Sequence, residues 1–169
     1  MKKTIYIFIA ISLIFVSCTK EEGCTDPIAA NYNSDAENDD GSCVFDLVGV
    51  WSPESVDYNI NVTATLAGQT IYSQDTSYTS TPQDTSWEIE GNMEFTSSGT
   101  LITSDETQNY TTSGNTLTIT ESDGEESQAT YTVSKTSISI TIFDSETETD
   151  MMGVTNVINY EMTINATRL

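Results

Sequence analysis

The sequence predicts an all-β protein whose body is an antiparallel up-and-down barrel, with a β-sandwich as the alternative architecture. Three observations carry this. From Phe45 to Leu169, Thr, Ser, Ile, Val and Tyr alternate apolar with polar at the two-residue period of a half-buried strand. Turn formers such as Ala67-Gly68, Ser113-Gly114-Asn115 and Asp123-Gly124 interrupt these runs at short intervals. Beyond the first residues, no window places apolar side chains at the spacing of an amphipathic helix. A meander of about nine strands joined by tight turns closes into a barrel or folds into a sandwich, and closure leaves no exposed edge.

The elements follow in chain order. Residues 1–17 have Lys2 and Lys3 at the start, an apolar run from Ile5 to Val16 and the small Ser17 at the end, the pattern of a secretory signal peptide. The run falls short of the roughly 20 apolar residues that cross a bilayer as a helix. Residues 18–23 read as a hydrophilic tether. Residues 24–43 form an acidic segment closed by Cys24 and Cys43, which in an exported chain most simply pair as a disulfide contributing about 3 kcal/mol. Asp35, Asp39 and Asp40 offer hard oxygen donors for calcium, but Ala36 stands where an EF-hand loop needs its first ligand and no Glu follows at the required distance. Asx turns inside the clasp are the alternative reading of these residues.

The body occupies residues 44–169. Val56, Tyr58, Ile60, Val62, Ala64 and Leu66 mark one face of a long strand, and Trp87, Ile89, Gly91, Met93 and Phe95 mark another. Further strands are predicted over 70–79, 100–104, 107–112, 115–121, 128–134, 137–143 and 154–167. The acidic run Asp144 to Asp150 reads as a solvated, mobile connection. Gly49-Val50-Trp51 opens the body, and Arg168 shares the parity of Ile158, Tyr160, Met162, Ile164 and Ala166 on the last strand. An inward-facing Arg needs a partner.

Composition narrows the chemistry. Asp and Glu number 26, Lys and Arg 5 and His 0, for a formal net charge of -21. Ser-His-Asp triads and His-ligated zinc sites are closed to the chain, and so few cations cannot track a nucleic-acid backbone. Pairs of carboxylates abound, but none stands out as an acid–base pair, so an enzyme is not expected.

Four resemblances to known patterns stand out. Phe15-Val16-Ser17-Cys18 resembles the lipobox of bacterial lipoproteins, which implies acylation of Cys18 after cleavage, with a free thiol as the other reading. Lys20-Glu21-Glu22 resembles the export signal of Bacteroidetes lipoproteins, implying the outer membrane and display at the cell surface, or retention on its periplasmic face. GCTDPIAANYNSDAENDDGSC is similar to a short module of marine Bacteroidetes surface and secreted proteins. LVGVW, MEFTSSGTL, NYTTSGNTLTI and the terminal Arg together resemble the lipocalin-like domains of Bacteroidetes lipoproteins, with Trp51 and Arg168 in the positions of the calycin closure.

A lipocalin-like body would turn its apolar parity inward. The lumen is then expected to be lined by Tyr58, Ile60, Val62, Trp87, Ile89, Met93, Ile140, Tyr160 and Met162. Such a lining is either a cup for a small hydrophobic or amphipathic ligand or a packed interior. In the second case, loops and the acidic segment would meet a protein, a glycan or calcium.

Overall fold

The computed structural model describes residues 20–85, 87 and 89–169, so the signal peptide expected over 1–17 and the lipidation candidate Cys18 lie outside the described residues. The regular elements among the described residues are all strands. The chain divides after Val44 into two units, each described by itself.

In the first unit, β1 (Glu22–Gly23) and β2 (Asn38–Asp39) make a short parallel pair. Cys24 is buried and bonded to Cys43. The stretch expected to be a solvated tether is held from Lys20 onward. The Glu21 carbonyl accepts the backbone N–H groups of Glu37 and Asn38 at 2.8 and 3.3 Å, and Lys20 Nζ stands 3.4 Å from the Glu37 carboxylate. The cause is local: Gly23 directly precedes the disulfide, which draws it beside the stretch that ends at Cys43.

The second unit is one antiparallel sheet of nine strands that closes on itself. Its members are β3 (Gly49–Leu66), β4 (Gln69–Ser80), β5 (Met93–Phe95), β6 (Thr100–Ile102), β7 (Thr107–Ser113), β8 (Thr116–Thr120), β9 (Glu126–Val133), β10 (Ser137–Thr149) and β11 (Val154–Arg168). Pairing of β11 with β3 from Arg168↔Trp51 to Val154↔Leu66 closes an eight-stranded barrel, and β4 is the ninth, extra strand. On its other side β3 pairs with β5 only over Gly49 to Trp51, then changes neighbour and pairs with β4 from Val56 onward.

A bulge makes this long strand work. Pro53 pairs with Ala166 and Ser55 with Asn165, which leaves Glu54 unopposed. Pro53 cannot donate to the ladder and is tolerated at such an irregularity. The extra residue resets the parity, so that Trp51, Pro53 and Val56 are all buried. The turn after β3 holds both Ala67 and Gly68 at positive φ, the handedness that matches a hairpin's twist.

The barrel interior is packed. Trp51, Phe95, Leu117 and Ile138 are at most 1% exposed, and Leu47, Met93, Leu101, Ala129, Ile140 and Ala166 complete the cluster. Tyr110 meets Phe95 edge-on at 5.1 Å between ring centroids and donates its hydroxyl to the Thr96 carbonyl at 2.8 Å.

The two chain ends of the barrel are locked together at one point. The Arg168 guanidinium lies 4.2 Å from the centroid of the Trp51 ring. Its Nη1 and Nη2 donate to the Val48 and Asp46 carbonyls at 2.7 and 3.0 Å, and Trp51 Nε1 donates to the Leu47 carbonyl at 2.8 Å. Gly49 is required here for two reasons. Its φ is +147°, and a Cβ would stand 2.6 Å from Arg168 Nη1.

Two expected elements differ. The strand expected from Trp87 to Phe95 is regular only over Met93–Phe95. Gly91 has φ +70°, the Trp87 N–H donates to the Asp84 carbonyl as part of a preceding turn, and Ser104 Oγ takes the Glu90 carbonyl, so the ladder cannot run through. The acidic run read as a mobile connection is instead the far half of β10, paired residue by residue from Asp144↔Tyr160 to Thr149↔Thr155. Alternation with Ser and Thr places its carboxylates about 7 Å apart along one face, where repulsion through water is too weak to break a ladder.

Trp51→Ala is expected to destabilise the protein by about 3–5 kcal/mol in urea titrations, because it removes both a fully buried ring and the surface on which Arg168 rests; a loss below about 1 kcal/mol contradicts the role given to this closure. The Tyr110 phenol is pushed above its ordinary value by burial first, then by the Asp46 carboxylate and Tyr131. The neutral phenol therefore stabilises the fold fully below about pH 10, and this contribution is lost as pH rises through the higher folded value. Tyr110→Phe should start about 1 kcal/mol less stable for want of the Thr96 hydrogen bond, yet lose less as the pH is raised above the ordinary tyrosine value. Equal slopes for the two proteins would assign the alkaline loss to other tyrosines.

Candidate functional site

β9 follows β10 only as far as Ile142, and β5 follows β3 only as far as Trp51. Beyond those points four strands continue alone in the order β10, β11, β3, β4. From Val56 to Leu66 this extension runs roughly 34 Å at the usual rise per residue. Its two faces differ sharply, because each register row alternates with the next.

One face continues the barrel interior. Its rows are Ile140, Ile164 and Val56; then Ile142, Met162, Tyr58 and Tyr78; then Asp144, Tyr160, Ile60 and Thr76. Val62 and Ile158 carry it further out. The Tyr58 and Tyr78 rings stack at 4.7 Å. A recess of about 250 Å³ opens on this face between Tyr58, Ile60, Ile142, Asp144, Tyr160 and Met162.

The opposite face is a polar ladder. Ser145 Oγ donates to Asn159 Oδ1 at 2.9 Å, Asn159 Nδ2 to Asn61 Oδ1 at 3.2 Å, and Asn61 Nδ2 to Asp75 Oδ1 at 2.7 Å, a rung that spans all four strands. Asn59 Nδ2 donates to Glu161 Oε1 at 3.2 Å, and Thr79 Oγ1 to Asp57 Oδ1 at 2.6 Å. A broader trough of about 710 Å³ lies over this face beside the exposed Phe143. Here the polar groups largely satisfy one another and hold the four strands in register. On the first face, apolar and aromatic side chains meet solvent, and burying their carbon surface is favourable.

The expected lumen residues therefore fall into three groups. Tyr58, Ile60, Tyr160 and Met162 come together in the recess, with Val62 two residues beyond Ile60 on the same face. Met93 and Ile140, at 6% and 4% exposure, are packed into the barrel core instead of lining a cup, because the short strands around them bring core side chains in from all sides. Trp87 and Ile89 lie in the connection between β4 and β5, outside any strand. Ile142, Asp144 and Tyr78 were missed. The parity of Ile138, Ile140 and Ile142 runs straight on to Asp144, and that continuation was the available signal.

In the first unit, Asp39 Oδ1 accepts the Gly41 N–H at 3.0 Å and Asp40 Oδ1 the Ser42 N–H at 2.9 Å. The Asp40 carboxyl is held below the usual carboxylate range by hydrogen bonds from Ser42, its side chain first and its backbone second. Asp35 donates its N–H to Asn33 Oδ1 at 3.0 Å. Among the described residues, no three acidic, thiol or imidazole groups converge as a metal site.

Comparison with protein-family models, curated proteins and solved structures returned no match.

Cys24→Ser is expected to open the first unit. Its paired strands are only two residues each, and the lost bond is worth about 3 kcal/mol. Limited proteolysis should then cut between residues 24 and 43 at least about tenfold faster, and unchanged cutting would mean that the backbone pairing alone suffices.

Proposed function

We propose that this protein is a lipid-anchored, non-catalytic binding protein that holds a small hydrophobic or amphipathic molecule against the apolar face of its four-stranded extension. The observation that carries this reading is the recess walled by Tyr58, Ile60, Ile142, Tyr160 and Met162, where the inward parity of the barrel strands emerges from the packed core and becomes accessible. A molecule seated there gains about 25 cal/mol for each Å² of apolar surface it buries, and the tyrosine hydroxyls and the Asp144 carboxylate at the rim orient its polar end. The lipobox-like Phe15-Val16-Ser17-Cys18 supports acylation at Cys18, and Lys20-Glu21-Glu22 supports placement at the outer membrane surface in the manner of Bacteroidetes lipoproteins with lipocalin-like domains. More than one acyl chain is needed for stable anchoring. A chain without His supports a binding role over triad or imidazole chemistry.

The test uses the Cys18→Ser chain, which cannot be acylated, in native mass spectrometry for a retained molecule and in titration with the neutral probe N-phenyl-1-naphthylamine. Saturable binding at one site is expected, weakened at least about tenfold by Tyr58→Ala and by Ile60→Ser with unchanged circular dichroism. Absence of saturable binding, or binding indifferent to both substitutions, overturns the proposal.

A further inference from the structure

The four-stranded extension carries no positive charge. Over residues 56–80 and 142–164 the sequence places seven carboxylates and no Lys, Arg or His. Their distribution is uneven. On the polar face, Asp57, Asp75 and Glu161 accept hydrogen bonds from Thr79, Asn61 and Asn59. On the apolar face the register puts Asp144 opposite Tyr160, Glu146 opposite Ile158 and Glu148 opposite Asn156, a row of acids along one border of an otherwise apolar and aromatic surface. The barrel's Arg168 is engaged with Trp51 and the 46–48 carbonyls, and Lys135 lies in the hairpin between β9 and β10, at the end of β10 away from the extension.

From this arrangement we infer that the ligand of the recess is a cationic amphiphile, an alkyl- or arylammonium compound whose apolar body lies over Ile60, Ile142 and Met162. This inference rests on the reading of the recess as a binding site. Its ammonium group meets the Asp144 carboxylate at the rim and the π faces of Tyr58 and Tyr160, which attract organic cations. A fatty acid of the same length would bury the same carbon chain but bring its carboxylate toward Asp144 and Glu146, inside the field of a chain with net charge -21. A polyamine without an apolar body would satisfy the acids and leave the recess unfilled. The surface thus selects both properties together: burial sets the affinity, and the acidic border sets the sign of the head group.

The experiment is calorimetric titration of the Cys18→Ser chain with decyltrimethylammonium, decanol and decanoate, each below its aggregation threshold. The expected order is decyltrimethylammonium first, at least about tenfold tighter than decanoate at low ionic strength, with the gap narrowing in high salt. Asp144→Asn should weaken the ammonium compound about three- to tenfold and leave decanol unchanged, whereas Glu94→Gln, which removes an exposed acid on the outside of β5, should change neither. Decanoate binding as tightly as the ammonium compound overturns the inference while leaving the recess reading intact. Equal losses from Asp144→Asn and Glu94→Gln also overturn it, since they would mark general attraction to an acidic protein. If none of the three compounds binds, the recess reading itself fails and the inference falls with it.

Discussion

The stacking of Arg168 on Trp51 joins the last strand of the barrel to the first, and the rest of the second unit depends on it. The β11–β3 register runs from Arg168↔Trp51 through the bulge at Glu54 to Val154↔Leu66, so the ring's position and the bulge together set which side chains face each other at the far end. The indole fills the end of the core, the guanidinium covers it and ties down the 46–48 backbone, and Gly49 leaves the room that the guanidinium requires. A cation over an aromatic face is worth more when water is excluded, which is the case over a ring with no exposed surface.

Given that closure, the accessible apolar recess follows from unequal strand lengths. Strands β5 to β8 are short and end where the core ends, while β3, β10 and β11 run well past it and β4 is added alongside β3. A sheet that continues without a second layer keeps its inward face apolar but gives it nothing to pack against. The polar ladder on the other face, with its rung from Ser145 to Asp75, holds this single layer in register. Acids on the exposed border of β10 discourage a further strand from joining there. The accessible apolar face and its negative border meet on β10, whose residues change from Ile138, Ile140 and Ile142 to Asp144, Glu146 and Glu148 without a change of parity.

The small first unit works by different means. With little to bury, it relies on the Cys24–Cys43 bond, the Glu21 to Glu37 and Asn38 backbone hydrogen bonds, and Asx turns in which Asp39 and Asp40 accept the N–H groups of Gly41 and Ser42. Those turns engage one oxygen of each of the two carboxylates.

Period-two alternation and turn residues determined the all-β class and the parity of nearly every strand, because these are local properties of a chain and of the pleat; closure into a barrel instead of a sandwich was decided by the long-range pairing of β11 with β3. Tyr58, Ile60, Tyr160 and Met162 were legible as one lining for the same reason. The sequence was misleading where a local signal had to compete with pairing: Asp144 to Thr149 looks like a solvated loop until β11 supplies a partner for each residue, and Trp87 to Phe95 looks like a strand until the turn at Asp84 and the φ of Gly91 break it. Where along each strand the barrel ends was decided by the tertiary structure alone. Met93 and Ile140 share the alternating pattern of Tyr58 and Tyr160, yet they lie inside the packed cluster and the tyrosines lie beyond it, because that outcome is set by how far the neighbouring strands extend and not by the residues themselves.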